Sequence, residues 1–87
     1  MTNRLMRSAA SVIKHTRKAS GMTQEDLAAL SGLDRTYISG VERGARNITL
    51  DSLEQIVDAL GMPLHEFAQA MGKTLNLEGL ESKNAEE

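Results

Sequence analysis

QEDLAALSGLDRTYISGVER, residues 24–43, divides into two amphipathic helical halves at Ser31-Gly32-Leu33-Asp34. Gly32 sits where the first half must stop, at a position whose left-handed backbone suits glycine alone. Asp34 follows two residues later and can accept a hydrogen bond from the free N–H groups that open the next helix. Leu33 between them is apolar, so the turn packs inward. Leu27, Ala28, Leu33, Ile38 and Val41 point at one shared core, with the small Ala28 where two helices approach closely. A short glycine turn of this kind joins helices at a steep angle. It leaves Arg35, Thr36, Tyr37, Ser39, Gly40 and Arg43 on the outside of the second helix.

Working outward, the same start signals recur. Thr23 with Asp26 fits a capping box, Asp34 caps the next helix and Thr49 the one after. Around each cap an apolar residue is matched by another at the hydrophobic-staple spacing: Met22/Leu27, Leu33/Ile38 and Ile48/Leu53. Met62/Phe67 repeats the spacing around Pro63, which stands either at the cap or at the first helical position. Upstream, residues 3–20 carry Leu5, Met6, Ala9, Val12 and Ile13 on one face, with Gly21 to end the helix. Downstream, Leu50, Leu53, Ile56, Val57 and Leu60 form the buried face of a fourth helix that ends at Gly61. The expected architecture is all-α, five helices at about 4–20, 24–31, 35–43, 50–60 and 64–71 in one domain over residues 1–72. Gly72 is read as the last helix end, and residues 73–87 as a tail that is partly disordered from about 81.

Composition narrows the function classes. With 40% apolar and 25% charged residues among 87, the chain is globular and large enough for one modest core. It has no cysteine, so disulfides and cysteine zinc sites are excluded. One Phe, one Tyr and no Trp argue against base-stacking platforms for single strands. Residues 1–72 carry 8 Lys/Arg and 8 Asp/Glu, whereas 73–87 carry 2 and 4, so the net charge of −2 belongs to the tail. Residues 1–24 contain five Lys/Arg and no acid, which also suits an organelle transit peptide. They are read instead as helix 1, because helix 2 otherwise lacks a packing partner. No apolar run is long enough to span a membrane. The expected location is the cytoplasm.

MTQEDLAALSGLDRTYISGVERGARNITLDSLEQIVDALGMPLHEF, residues 22–67, resembles the helix-turn-helix domain of the phage repressor/Cro (XRE-like) family. The GMTQEDLA start, the turn glycine, ISxxERG and SLxxIxxALG carry the resemblance without a gap. Within that family, LDRTYISGVERGARN most resembles the controller proteins of restriction–modification systems. The resemblance implies a phage-repressor-like fold and a sequence-specific, autoregulatory transcriptional regulator that binds double-stranded DNA. An antitoxin, or a module using the same fold to hold a toxin or polymerase subunit, is the alternative.

The resemblance places base contacts on Arg35, Thr36, Tyr37 and Ser39. An arginine one position past the cap can donate two hydrogen bonds to guanine O6 and N7. It sits badly with the positive end of the helix dipole, which favours a reason outside the fold. Tyr37 is read with its ring leaning on the core near Val41 while its hydroxyl reaches a phosphate or a base edge. Gly40 leaves room either for the groove or for an approaching backbone, against a reading as unselected drift. Gln24, Arg43, Arg46 and Asn47 are the expected phosphate contacts, Gln24 through the N-terminus of helix 2. Arg17 with Glu42 resembles the ion pair that ties helix 3 to helix 1 in phage repressors, and both are expected to be structural.

One small domain reads few base pairs, so a homodimer on two-fold related half-sites is expected. Met62, Leu64, Phe67 and Met71 remain for its interface, with Phe67 also readable as core. Glu25 is the acid left over for RNA polymerase once Asp26 is assigned to the cap. His15 and His65 lie far apart without an acidic cluster, so no metal site and no cofactor are expected. No nucleophile is paired with a base, so no enzyme is expected.

Overall fold

Five helices follow one another in a computed structural model that describes the backbone of residues 3–86 and the side chains of 3–76. They are α1 (Arg4–Ala19), α2 (Gln24–Ser31), α3 (Arg35–Glu42), α4 (Leu50–Ala59) and α5 (Leu64–Glu86). Local sequence sets each start. Asn3 Oδ1 accepts from the Met6 N–H at 3.0 Å, opening α1. At α2 the capping box closes in both directions, Asp26 N–H to Thr23 Oγ1 at 3.0 Å and Thr23 N–H to Asp26 Oδ2 at 2.9 Å. Asp34 accepts from Thr36 N–H at 3.2 Å, and Thr49 from Ser52 N–H at 3.0 Å. Pro63 takes the cap position of α5, its carbonyl accepting from Glu66 and Phe67.

Gly32 closes α2 with φ +76°, its N–H donating to the Ala28 carbonyl at 2.9 Å. A β-carbon added there would meet nothing within 4 Å, so only backbone strain opposes a side chain. Gly32→Ala is therefore expected to cost about 1–2 kcal/mol, the left-handed penalty for an L-residue. Urea unfolding would measure it. α1, α3 and α4 end instead in Schellman closures, for example Met22 N–H to Arg17 carbonyl at 3.1 Å with Gly21 N–H to Lys18 carbonyl at 3.0 Å.

The core gathers Ile13 from α1, Leu27 from α2, Ile38 and Val41 from α3, and Ile56 and Val57 from α4, all fully buried. Met6, Ala9, Ala10, Val12, Leu60 and Phe67 complete it. α1 packs on α3 and α5, α2 on α3 and α4, and α4 on α5. Buried Ser8 joins the α1 face, its hydroxyl donating to the Met71 carbonyl at 3.2 Å and locking α1 to α5.

Four expectations need correction. Helix 5 does not end at Gly72 but runs on to Glu86, and the expected tail over residues 73–87 is helical as far as that. Gly72 lacks the positive φ of a helix stop. Glycine within a helix costs only about 1 kcal/mol, no proline follows, and Thr74 bonds back to the Ala70 carbonyl at 3.2 Å across the position. The side chains of Leu77 and Leu80 lie outside the described residues. Leu50 is 82% exposed rather than core. It is the first residue of α4, and helical side chains lean toward the N-terminus, so Leu50 projects past the layer that holds Leu53 and Ile56. Leu5 is likewise exposed at the start of α1. Finally, Phe67 is 4% exposed and belongs to the core, at the first turn of α5 where that helix packs on α1 and α4. It cannot lead a dimer interface.

Candidate DNA interface

One buried ion pair fixes how α3 sits. Arg17 on α1 donates from Nε to Glu42 Oε2 at 2.6 Å and from Nη2 to Oε1 at 3.0 Å. Its Nη1 donates to the Met22 carbonyl at 2.8 Å, so each guanidinium nitrogen is engaged. Gln24 Nε2 adds a bond to Glu42 Oε1 at 3.1 Å. Both charged side chains are almost wholly enclosed. The hydrogen bond to Glu42 raises the Arg17 pKa above its ordinary value, against the opposing effect of burial. A raised value on a base means that the pair is complete below arginine's ordinary range and weakens only in strong alkali.

This network gives the Gln24 side chain a role of its own and leaves the expected backbone contact open. The Gln24 side chain is half-buried and turned to Glu42, so what Gln24 can offer a phosphate is its backbone N–H at the N-terminus of α2. It ties α2 to the same carboxylate that ties α3 to α1.

With the core side of α3 anchored, its other side is set. Arg35 and Thr36 are exposed in its first turn, Tyr37 and Ser39 are half-buried, and Arg43 is exposed at the C-terminal end. Arg35 does not stand alone against the dipole: its Nε lies 3.2 Å from Glu25 Oε2 on α2. Glu25, the acid left over for a polymerase in the sequence, lies across the turn against the arginine and stays exposed. Both side chains remain more than half exposed, so water and salt compete for the pair. At the other end, Arg43 Nη1 donates to Ser39 Oγ at 2.7 Å, coupling an expected phosphate contact to an expected base contact.

Tyr37 is half-buried and packs against the core, which is the expected place for its ring. The Arg46 guanidinium lies 5.2 Å from the centroid of that ring, within cation–π range. Arg46 reaches it from the loop after α3 by crossing Gly40. A β-carbon on Gly40 would come within 2.6 Å of Arg46 Cγ, so the space at Gly40 is filled by the chain's own arginine and not kept open for a groove. Gly40 and Arg46 share no signal in the sequence, because a loop residue's path over a helix is not periodic. Asn47 is exposed beside Arg46.

Arg35, Thr36, Ser39 and Arg43 thus lie exposed or half-buried on α3 or at its C-terminal end, with Glu25 of α2 against Arg35 and Arg46 over the half-buried Tyr37 ring. Among the described residues no group of three or more His, Asp and Glu side chains could hold a metal ion. No helix in them is long and apolar enough to cross a membrane.

The family model described as helix-turn-helix matches residues 13–67, which runs from the middle of α1 to the first turn of α5. Control protein C.BamHI of Bacillus amyloliquefaciens is 56% identical over 43 residues, 49% of this chain and 53% of that protein. The chain therefore aligns with about half the length of that relative. Over a longer span, the crystal structure of the wild-type restriction–modification controller protein C.Esp1396I superposes with a TM-score of 0.81 at 45% identity, covering 86% of this chain and 95% of that one. The C.Esp1396I tetramer in complex with its natural 35 base-pair operator superposes with a TM-score of 0.79 at 46% identity over 84% and 95%. This chain belongs to the helix-turn-helix family, and within it resembles the restriction–modification controller proteins.

Proposed function

We propose that the chain is a sequence-specific regulator that binds duplex DNA as a homodimer and controls its own transcription, as a restriction–modification controller does. The observation that carries the reading is the outward first turn of α3. Arg35 and Thr36 are exposed there while Ile38, Val41 and Glu42 on the opposite side are buried, so the helix can enter a major groove without disturbing the core. Arg35 reads guanine, Thr36 and Ser39 offer hydroxyls to either base, and Tyr37 stands beside them. Arg43, Arg46, Asn47 and the Gln24 N–H contact phosphates, which position the helix without reading sequence. The operator complex of C.Esp1396I supports this assignment by likeness of fold. The toxin-binding alternative has no counterpart among the relatives described above.

Dimerisation falls to the α4–α5 end. Leu64 is 51% exposed, flanked by half-buried Met62 and Met71, and these three remain when Phe67 is assigned to the core. Leu64→Glu is expected to dissociate the dimer, since each leucine buried contributes about 1.5–3 kcal/mol and two-fold symmetry counts it twice. Sedimentation would show a monomer, with operator binding weakened in parallel. The function itself is tested by a gel shift, at stated salt, on the duplex upstream of the chain's own coding sequence. A retarded band that survives competitor DNA is expected, and none would overturn the reading.

A further inference from the structure

We propose that Gly40 is a positioning residue of the DNA interface: its missing side chain admits the stem of Arg46, which sets the Arg46 guanidinium on the Tyr37 ring and holds loop and helix in one binding geometry. The inference rests on the DNA-reading function and adds a residue that touches no DNA.

Four observations carry it. Gly40 is buried although it lies on the same side of α3 as half-buried Tyr37, and its cover is Arg46. The clash that a β-carbon would make is with Arg46 Cγ at 2.6 Å, close to the backbone, whereas Arg46 Cβ stands at an ordinary 3.6 Å. A methyl group at position 40 must therefore displace the whole arginine stem and not merely its tip. The displaced tip is the one that lies 5.2 Å from the Tyr37 centroid. Ala45 N–H donates to the Gly40 carbonyl at 2.9 Å, so the turn that launches Arg46 is itself hung on Gly40. Long basic side chains in loops ordinarily sample many rotamers, and ordering one before binding removes part of the entropic cost of contact. Glycine is otherwise a poor choice inside a helix, which makes alanine here an informative substitution.

The chain offers its own reporter, because Tyr37 is the one tyrosine and there is no tryptophan. Three variants are compared with the parent: Gly40→Ala, Arg46→Ala and the two combined. Near-ultraviolet circular dichroism of the tyrosine band is read on free protein, and affinity for the upstream duplex is read at fixed low salt. Gly40→Ala is expected to keep its helix content and melting temperature, to lower the tyrosine band to that of Arg46→Ala, and to weaken binding by roughly two- to fivefold per half-site, the scale of an exposed cation–π contact. Adding Gly40→Ala to Arg46→Ala is expected to change neither readout, since the clashing Cγ is gone.

A tyrosine band left at the parent value by Gly40→Ala would overturn the proposal. So would an equal loss of affinity in both backgrounds, which would mean that position 40 meets DNA directly. Should Gly40→Ala unfold the chain, the double variant decides: recovery of the fold supports the coupling to Arg46, and continued unfolding overturns it. If the parent binds no duplex, the DNA-reading function falls, while the tyrosine readings still show whether Gly40 seats Arg46.

Discussion

Glu42→Ala is expected to destabilise the fold by about 3–5 kcal/mol, the usual consequence of removing one partner of a buried ion pair. The residue accepts three hydrogen bonds, two from Arg17 and one from Gln24, and its loss leaves a guanidinium enclosed with the Met22 carbonyl as its remaining acceptor. Small domains have only about 5–15 kcal/mol in total, so the variant should stand near its limit at ordinary temperature. At roughly 4–8 °C per kcal/mol for a domain of this size, thermal melting reads the change easily. The loss should not be taken as the net worth of the pair. Replacing both partners, Arg17→Met with Glu42→Leu, is expected to recover much of the stability, because no unpaired charge then remains inside. Equal instability of the single and double replacements would show that the geometry of the network, and not charge burial, is what holds α1 to α3.

The second large effect is on binding. Arg35→Ala is expected to weaken operator binding by about 1–3 kcal/mol per half-site and to relax discrimination at one base pair, as for a bidentate arginine on guanine. Stability should stay within about 0.5 kcal/mol of the parent, since Arg35 is exposed and its ion pair with Glu25 is a surface pair. That contrast separates the two arginines. Arg17 is structural and Arg35 is a reader, and urea melts beside binding isotherms would tell them apart. A drop in stability with unaltered base preference at Arg35→Ala would remove it from the reading set.

Much of the fold was legible because the chain marks its helix starts with short-range chemistry. Thr23, Asp34 and Thr49 cap as their types require, and each is bracketed by an apolar pair that packs. Fixing those starts fixes the rotation of α3, and with it which side chains face out. What was missed depends on the third dimension. Glu25 reaches Arg35, and Gln24 reaches Glu42, across a turn that the sequence shows only as spacing. Gly72 carries the same letter as the helix-ending glycines, yet lies inside a helix, since a stop also needs a left-handed backbone and a closing hydrogen bond. Gly40 reads in the sequence as a gap for a groove or an approaching backbone, whereas the occupant is the Arg46 side chain of the same chain. Phe67 is readable in the sequence as core or interface, and its burial decides for the core.

The central claim is that the exposed first turn of α3 reads base sequence. The measurement that bears on it most directly is the affinity of the chain for the upstream duplex and for a scrambled duplex of equal length and composition, titrated at one physiological salt concentration. Specific binding tighter by about 10³ or more, with two protomers per pair of half-sites, is the predicted result. Equal affinity for the two duplexes would leave only charge attraction to phosphates and would contradict the claim.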